Sequence, residues 1–111
     1  MNAKSIATLV TSQIGDAWEA TNAHGVDLRE AIVPPEQIVV IEREVRDGKT
    51  QDRLVDAWLV LIENPRAKAG YRIVAAADGS NFGLATEGFP SDKHLVLCGW
   101  CGDFLTAFLG M

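Results

Sequence analysis

The chain has little of what most catalytic centres are built from. It holds two cysteines, Cys98 and Cys101, and two histidines, His24 and His94. No Gly-x-Ser-x-Gly nucleophile elbow occurs, so a serine triad has no support. The stretch Gly99-Trp100-Cys101-Gly102 lacks the lysine and the serine or threonine that complete a phosphate loop. Apolar runs are short; none approaches the ~18 residues of a membrane span. The opening segment, Lys4 and then Ser5-Ile6-Ala7-Thr8-Leu9-Val10, is too short and too polar for a secretory apolar region. Basic clusters are missing too. Ten Lys and Arg face fifteen Asp and Glu, for a net charge of -5, and bases sit singly between acids as in Glu42-Arg43-Glu44. Phosphate neutralisation needs concentrated positive charge. The expectation is a cytoplasmic protein with reduced cysteines, no nucleic-acid partner and no membrane partner.

What is present is ordinary globular material. The 111 residues are 48% hydrophobic and 23% charged, which predicts one domain over 1–111 with a core that needs no staples. Ser5 to Ala23 reads as a helix, because Ile6, Leu9, Val10, Ile14, Ala17 and Trp18 recur at three- and four-residue steps. Gly25 would stop it, and Gly15 would sit inside it at a cost of about 1 kcal/mol. Asp27 resembles a helix cap, but Pro34-Pro35 leaves room only for a short turn.

From Gln37 the period becomes two. Val39, Ile41 and Val45 alternate with Val40, Glu42, Glu44 and Arg46 as in a half-buried strand. Asp47-Gly48 is a hairpin turn signal. A second strand, Thr50 to Glu63, is apolar on both faces apart from Asp56. Further strands are expected at Tyr71–Ala77, Asn81–Glu87 and His94–Cys98, then a closing helix capped by Asp103 with Phe104, Leu105, Phe108 and Leu109 on its apolar side. The fold class is therefore α+β: an N-terminal helix, a four- to five-stranded antiparallel meander sheet and a short C-terminal helix, with the helices on one face of the sheet.

Four groups are candidate sites. The Cys98–Cys101 spacing resembles the thioredoxin dithiol over four residues, but no proline follows it, and the neighbouring Asp103 would raise a thiol pKa. Small-hydrophobe roles fit better, with Cys98 buried in the strand and Cys101 in a turn. A metal site joining the cysteines to His94 and Asp103 is disfavoured. His94 and Cys98, four apart on one strand, lie about 13 Å apart. No cofactor is implied. Asp56, a carboxylate within an apolar strand, either serves as an acid or base, pairs with Arg43 or Arg72, or lies exposed. His94 is the other weak acid–base candidate, and reads better as an exposed strand start.

The favoured functional reading is a non-enzymatic binding protein that pairs as a homodimer on one face of the second strand, with Trp58, Leu59, Val60 and Leu61 as the candidate residues: either the face of Leu59 and Leu61 with Val55 and Ala57, or that of Trp58 and Val60 with Leu54 and Ile62. It rests on surplus area: helices on one face leave the other face of the second strand uncovered. Two readings compete with it. One is a tryptophan-lined small-molecule or enzymatic pocket with Asp56 as acid or base. The other is an acidic inhibitor- or immunity-like partner that neutralises a basic protein.

Overall fold

The structure, a computed structural model, describes residues 1–111. Helix α1 spans Ala3–Ile14. Asn2 caps it: its carboxamide accepts the Ser5 N–H while the Ser5 hydroxyl accepts the Asn2 N–H, so two free helix-end donors are satisfied reciprocally. The helix ends nine residues earlier than the periodicity predicts. Gly15 takes φ +58 and its N–H bonds the Thr11 carbonyl, so it is the stop rather than an interior residue. Ala17, Trp18 and Ala20 still pack on the helix core, but from irregular chain, which is why they continued the apolar pattern. Asp27 caps the one-turn α2, Leu28–Ala31, by accepting the Arg29 N–H.

Five strands follow: β1 Ile32–Arg46, β2 Lys49–Asn64, β3 Ala69–Ala76, β4 Phe82–Thr86 and β5 Leu95–Gly102. β1 starts earlier than expected and includes Pro34-Pro35. Its ladder with β2 is broken between Ile32 and Glu36, where the prolines have no N–H to give. Asp47 and Gly48 both take positive φ and turn β1 into β2. Successive strands pair antiparallel, as the short connections require. The sheet does not stay open. An odd meander that curls around brings its first and last strands together in the same direction. Here β5 pairs parallel with β1 at Val40–Leu95 and Ile41–Val96, closing a five-stranded barrel. This corrects the expectation of an open sheet with a helix-covered face and a bare one: one face of this sheet is the inside of the barrel.

The inside is thin. Val40, Ala57, Val74, Ala85 and Leu97, one from each strand, form the buried interior cluster. Gly83 is part of that economy: a Cβ there would lie 2.5 Å from the Gly99 carbonyl oxygen and 3.0 Å from the Trp100 ring. The larger core lies outside the barrel. The outward residues Trp58, Val60, Ile73, Ala75, Phe82 and Leu84 meet Ile6, Val10 and Ile14 of α1 and Phe104, Ala107 and Phe108 of helix α3, Phe104–Leu109. A register shift between Leu59 and Leu61 turns Val60 and Leu61 to this side together. Asp103 caps α3 by accepting the Thr106 N–H; Leu109, expected on the apolar face, is exposed. No helix is long and apolar enough to cross a membrane.

β1 and β2 outrun the barrel. β5 leaves β1 after Ile41, and β3 joins β2 only from Ala57 onward. Glu42–Arg46 and Lys49–Arg53 therefore pair only with each other, as a two-stranded ribbon on a molecule of 45 × 29 × 23 Å, with Leu54 at its foot.

Candidate functional site

The alternation of β1 and β2 sorts their residues without ambiguity. Val40, Val55 and Ala57 face the barrel interior. Val39, Ile41, Arg43 and Val45 therefore face outward on β1, and Asp56, Leu54, Asp52 and Thr50 face outward beside them on β2. Neither α1, which packs against β2 and the Ile32–Pro35 end of β1, nor α3, which packs against β3, β4 and β5, covers this stretch. Two features stand on it.

The first is an open cleft of about 540 Å³ lined by Met1, Gln37, Ile38, Val39, Asp56, Ala57, Trp58, Ala77 and His94. The antiparallel register sets Asp56 beside Val39. The parallel closure, stepped back one residue from Leu95–Val40, brings His94 to the other side of Val39. Asp56 and His94 thus flank Val39 across two strand spacings, about 10 Å. That is too far for a direct hydrogen bond, and room enough for a small ligand between them. Asp56 is exposed and pairs with neither Arg43 nor Arg72. Arg43 is taken by Asp52 and Asp92, and Arg72 donates to the Gly70 and Lys68 carbonyls. Trp58 supplies a wall, and its indole N–H bonds the Ala77 carbonyl at 3.3 Å.

The second feature is built around Arg43. Its guanidinium reaches both oxygens of Asp52 at 2.8 and 2.9 Å and Asp92 at 2.9 Å. These bonds hold the Asp52 and Asp92 carboxyls below the usual carboxylate range and the guanidinium above its own. Asp92 also accepts the Phe89 N–H, so the loop between β4 and β5 is pinned to β1. The pinned loop sets the Phe89 ring 5.7 Å from the Arg43 guanidinium, where it stays 70% exposed. Val45 and Leu54, which flank Arg43 on the outward face, are 72% and 63% exposed. Three of the five large exposed hydrophobics thus crowd around one compensated arginine; Met1 and Leu109 are the others.

The sequence-chosen association surface lies elsewhere. Val60 and Leu61 are fully buried, Trp58 is nearly so, and Leu59 is half-buried toward the barrel interior. Both apolar faces of β2 are covered within one chain, by the barrel on one side and the helices on the other. The surplus area is at Val45, Leu54 and Phe89. Their signal in the sequence was weak: Val45 and Leu54 continue a period-two pattern past the point where the barrel can use it.

The cysteines are free and both lie in β5, ahead of α3. Cys98 is exposed rather than buried, and Cys101 packs on the outer core. Partial desolvation by its neighbours, with Cys101 as a second cause, pushes the Cys98 thiol up, the opposite of what thiolate chemistry needs. No group of three His, Cys, Asp or Glu side chains converges in the way a metal ion requires. No protein-family model, curated protein or solved structure matches this chain.

Proposed function

We propose that the protein acts by binding, and that it does so as a homodimer through the outward face of β1 and β2. The observation that carries this is the cluster of Val45, Leu54 and Phe89, left exposed where β1 and β2 run beyond the helices and only the Phe89 loop leans across. Large side chains left in water at adjacent positions mark contact surfaces, and a two-fold contact is the commonest cover. The homodimer reading thus keeps its logic and moves its surface, from Trp58, Leu59, Val60 and Leu61 to the ribbon side of β2. Native mass spectrometry of the wild-type chain tests it: a dimer at low micromolar concentration is expected, and a monomer up to about 100 μM overturns it.

A second reading has its own observation. The cleft places a carboxylate and an imidazole on opposite sides of an apolar floor, so Asp56 and His94 would grip a small polar molecule between them. Under this reading a co-purifying ligand dissociates from an Asp56→Asn chain and not from a Leu54→Ser chain. The charge-neutralising reading gains less, because the acids are interleaved with bases: Glu42 with Arg53, Asp52 and Asp92 with Arg43, Glu63 with His24.

A further inference from the structure

We infer that the open cleft on the outward face of β1 and β2 takes a small organic amine, its ammonium group held by Asp56 and its apolar body lying on Val39 against Trp58. The inference rests on the cleft reading given second above and names the class of its ligand.

The charge selects the ligand. Asp56 is the one carboxylate among the nine residues that line the cleft, and no lysine or arginine stands with it. The arginines of the neighbouring strands are spent elsewhere: Arg43 on Asp52 and Asp92, Arg53 on Glu42, and Arg72 on the Gly70 and Lys68 carbonyls. Lys93 lines the next hollow, under the loop between β4 and β5. The amino group of Met1 acts on Asp78, whose carboxyl is lowered first by its Ser80 hydrogen bonds and to a smaller degree by that amine. Beside the cleft, one guanidinium against the carboxylates of Asp52 and Asp92 leaves the Arg43 cluster negative as well. The local charge and the whole-molecule charge of -5 thus have one sign, and both draw a cation in.

The strands place the apolar half. Asp56 and Trp58 stand two residues apart on the outward face of β2, about 7 Å, with Val39 opposite Asp56 on β1. A carboxylate at that distance from an aromatic wall suits an ammonium group carried on a short apolar body. The Trp58 indole N–H is already bonded to the Ala77 carbonyl, so the wall has no donor to give an anion. His94, beyond Val39, is set before a ligand arrives. Asp92, two residues earlier, is bonded to Arg43 and to the Phe89 N–H, and Leu95, the next residue, pairs with Val40. A wall held in this way costs little ordering on binding.

The test titrates the full chain with three phenols of one shape and different charge: tyramine, its neutral alcohol tyrosol, and para-hydroxyphenylacetate. Amide chemical shifts are followed at about pH 7, where the amine is charged. Tyramine should move the amides of Val39, Ala57 and Ala77 with a dissociation constant at least tenfold lower than that of tyrosol, and the carboxylate should leave them in place. Asp56→Asn, at an exposed position, should keep the spectrum of the folded chain and bring tyramine down to the level of tyrosol. Tyrosol or para-hydroxyphenylacetate binding the cleft as tightly as tyramine overturns the amine and leaves the cleft reading standing. So does an Asp56→Asn chain that binds tyramine as the wild type does. Tyramine shifts of equal size around Asp16 and Asp47, exposed acids outside the cleft, show charge attraction alone and also overturn the amine site. If none of the three moves the cleft amides up to about 10 mM, where even weak fragments bind, the cleft reading falls with it.

Discussion

The outward sides of β3–β4 and of β1 belong to one sheet, yet one is the heart of the core and the other is open. On β3 and β4 the outward positions are Ile73, Ala75, Phe82 and Leu84, and α3 closes over them with Phe104 and Phe108. On β1 and its neighbour the outward positions mix Arg43, Asp52 and Asp56 with Val45 and Leu54, and only the Phe89 loop leans across. Both stretches alternate with the same period. What separates them is content. Unbroken apolar rows recruit a covering layer within the chain, because leaving them wet costs about 25 cal/mol per Å². Rows interrupted by charge cannot be buried without partners for each charge. Their apolar members then stay exposed on the single chain, as Val45 and Leu54 do.

The covered side should break hardest. Phe104→Ala removes a fully buried ring that meets Phe82 edge-on at 5.8 Å. The expected loss is about 3–5 kcal/mol of unfolding free energy, read by urea denaturation. A loss below about 1 kcal/mol would mean that α3 is not a true cover. Next is the barrel that both sides share. Gly83→Ala forces a methyl against the Gly99 carbonyl and the side chains of Trp100 and Leu97. It should cost roughly 1–3 kcal/mol, because backbone cannot rotate away as a flexible side chain would.

Acid should loosen the open side first. The Asp52 and Asp92 carboxyls are lowered chiefly by their hydrogen bonds to Arg43. Groups whose folded pKa is depressed stabilise fully above their unfolded value, near 3.9, and lose that contribution as pH falls through the folded value. Lowering the pH from 7 to 5 should therefore leave the loop pinned, and release should begin only below about 4. Amide exchange at Phe89, whose N–H is held by Asp92, reports it. Exchange that accelerates already at pH 5–6 would show that these carboxylates do not hold the loop.

How much of this could be read beforehand follows the range of the interactions. The Asp47-Gly48 turn and the Asp103 cap are set by residues within four positions, and both were legible. The stop at Gly15 was not, because Ala17 and Trp18 go on serving the same core after the helix has ended. Barrel closure depends on Ile41 meeting Val96, and no local pattern announces a parallel contact between the first strand and the last. The site suffers for the same reason. Asp56 and His94 were recognisable as residue types, but their common cleft exists only because β5 returns to β1. A strand apolar on both faces needs two covers; in an open sheet β2 would keep one bare face, and closure of the barrel supplies the missing cover.

The smallest effect on the fold should carry the sharpest comparison. Leu54 is 63% exposed at the foot of the ribbon, paired across the ladder with Ile41. Replacing it with serine removes little that the isolated chain buries. At submicromolar concentration Leu54→Ser and wild type should unfold within about 0.5 kcal/mol of each other, as surface substitutions do. Association adds stability by mass action, and only to the chain that associates. As concentration rises to tens of micromolar, the wild-type melting temperature should climb, while that of the variant stays level. The same titration on Phe104→Ala should show a lower curve with the wild-type slope, because its damage lies in the covered side. If Leu54→Ser and wild type climb together, the open face is not where the copies meet; if neither climbs, the copies do not meet at all.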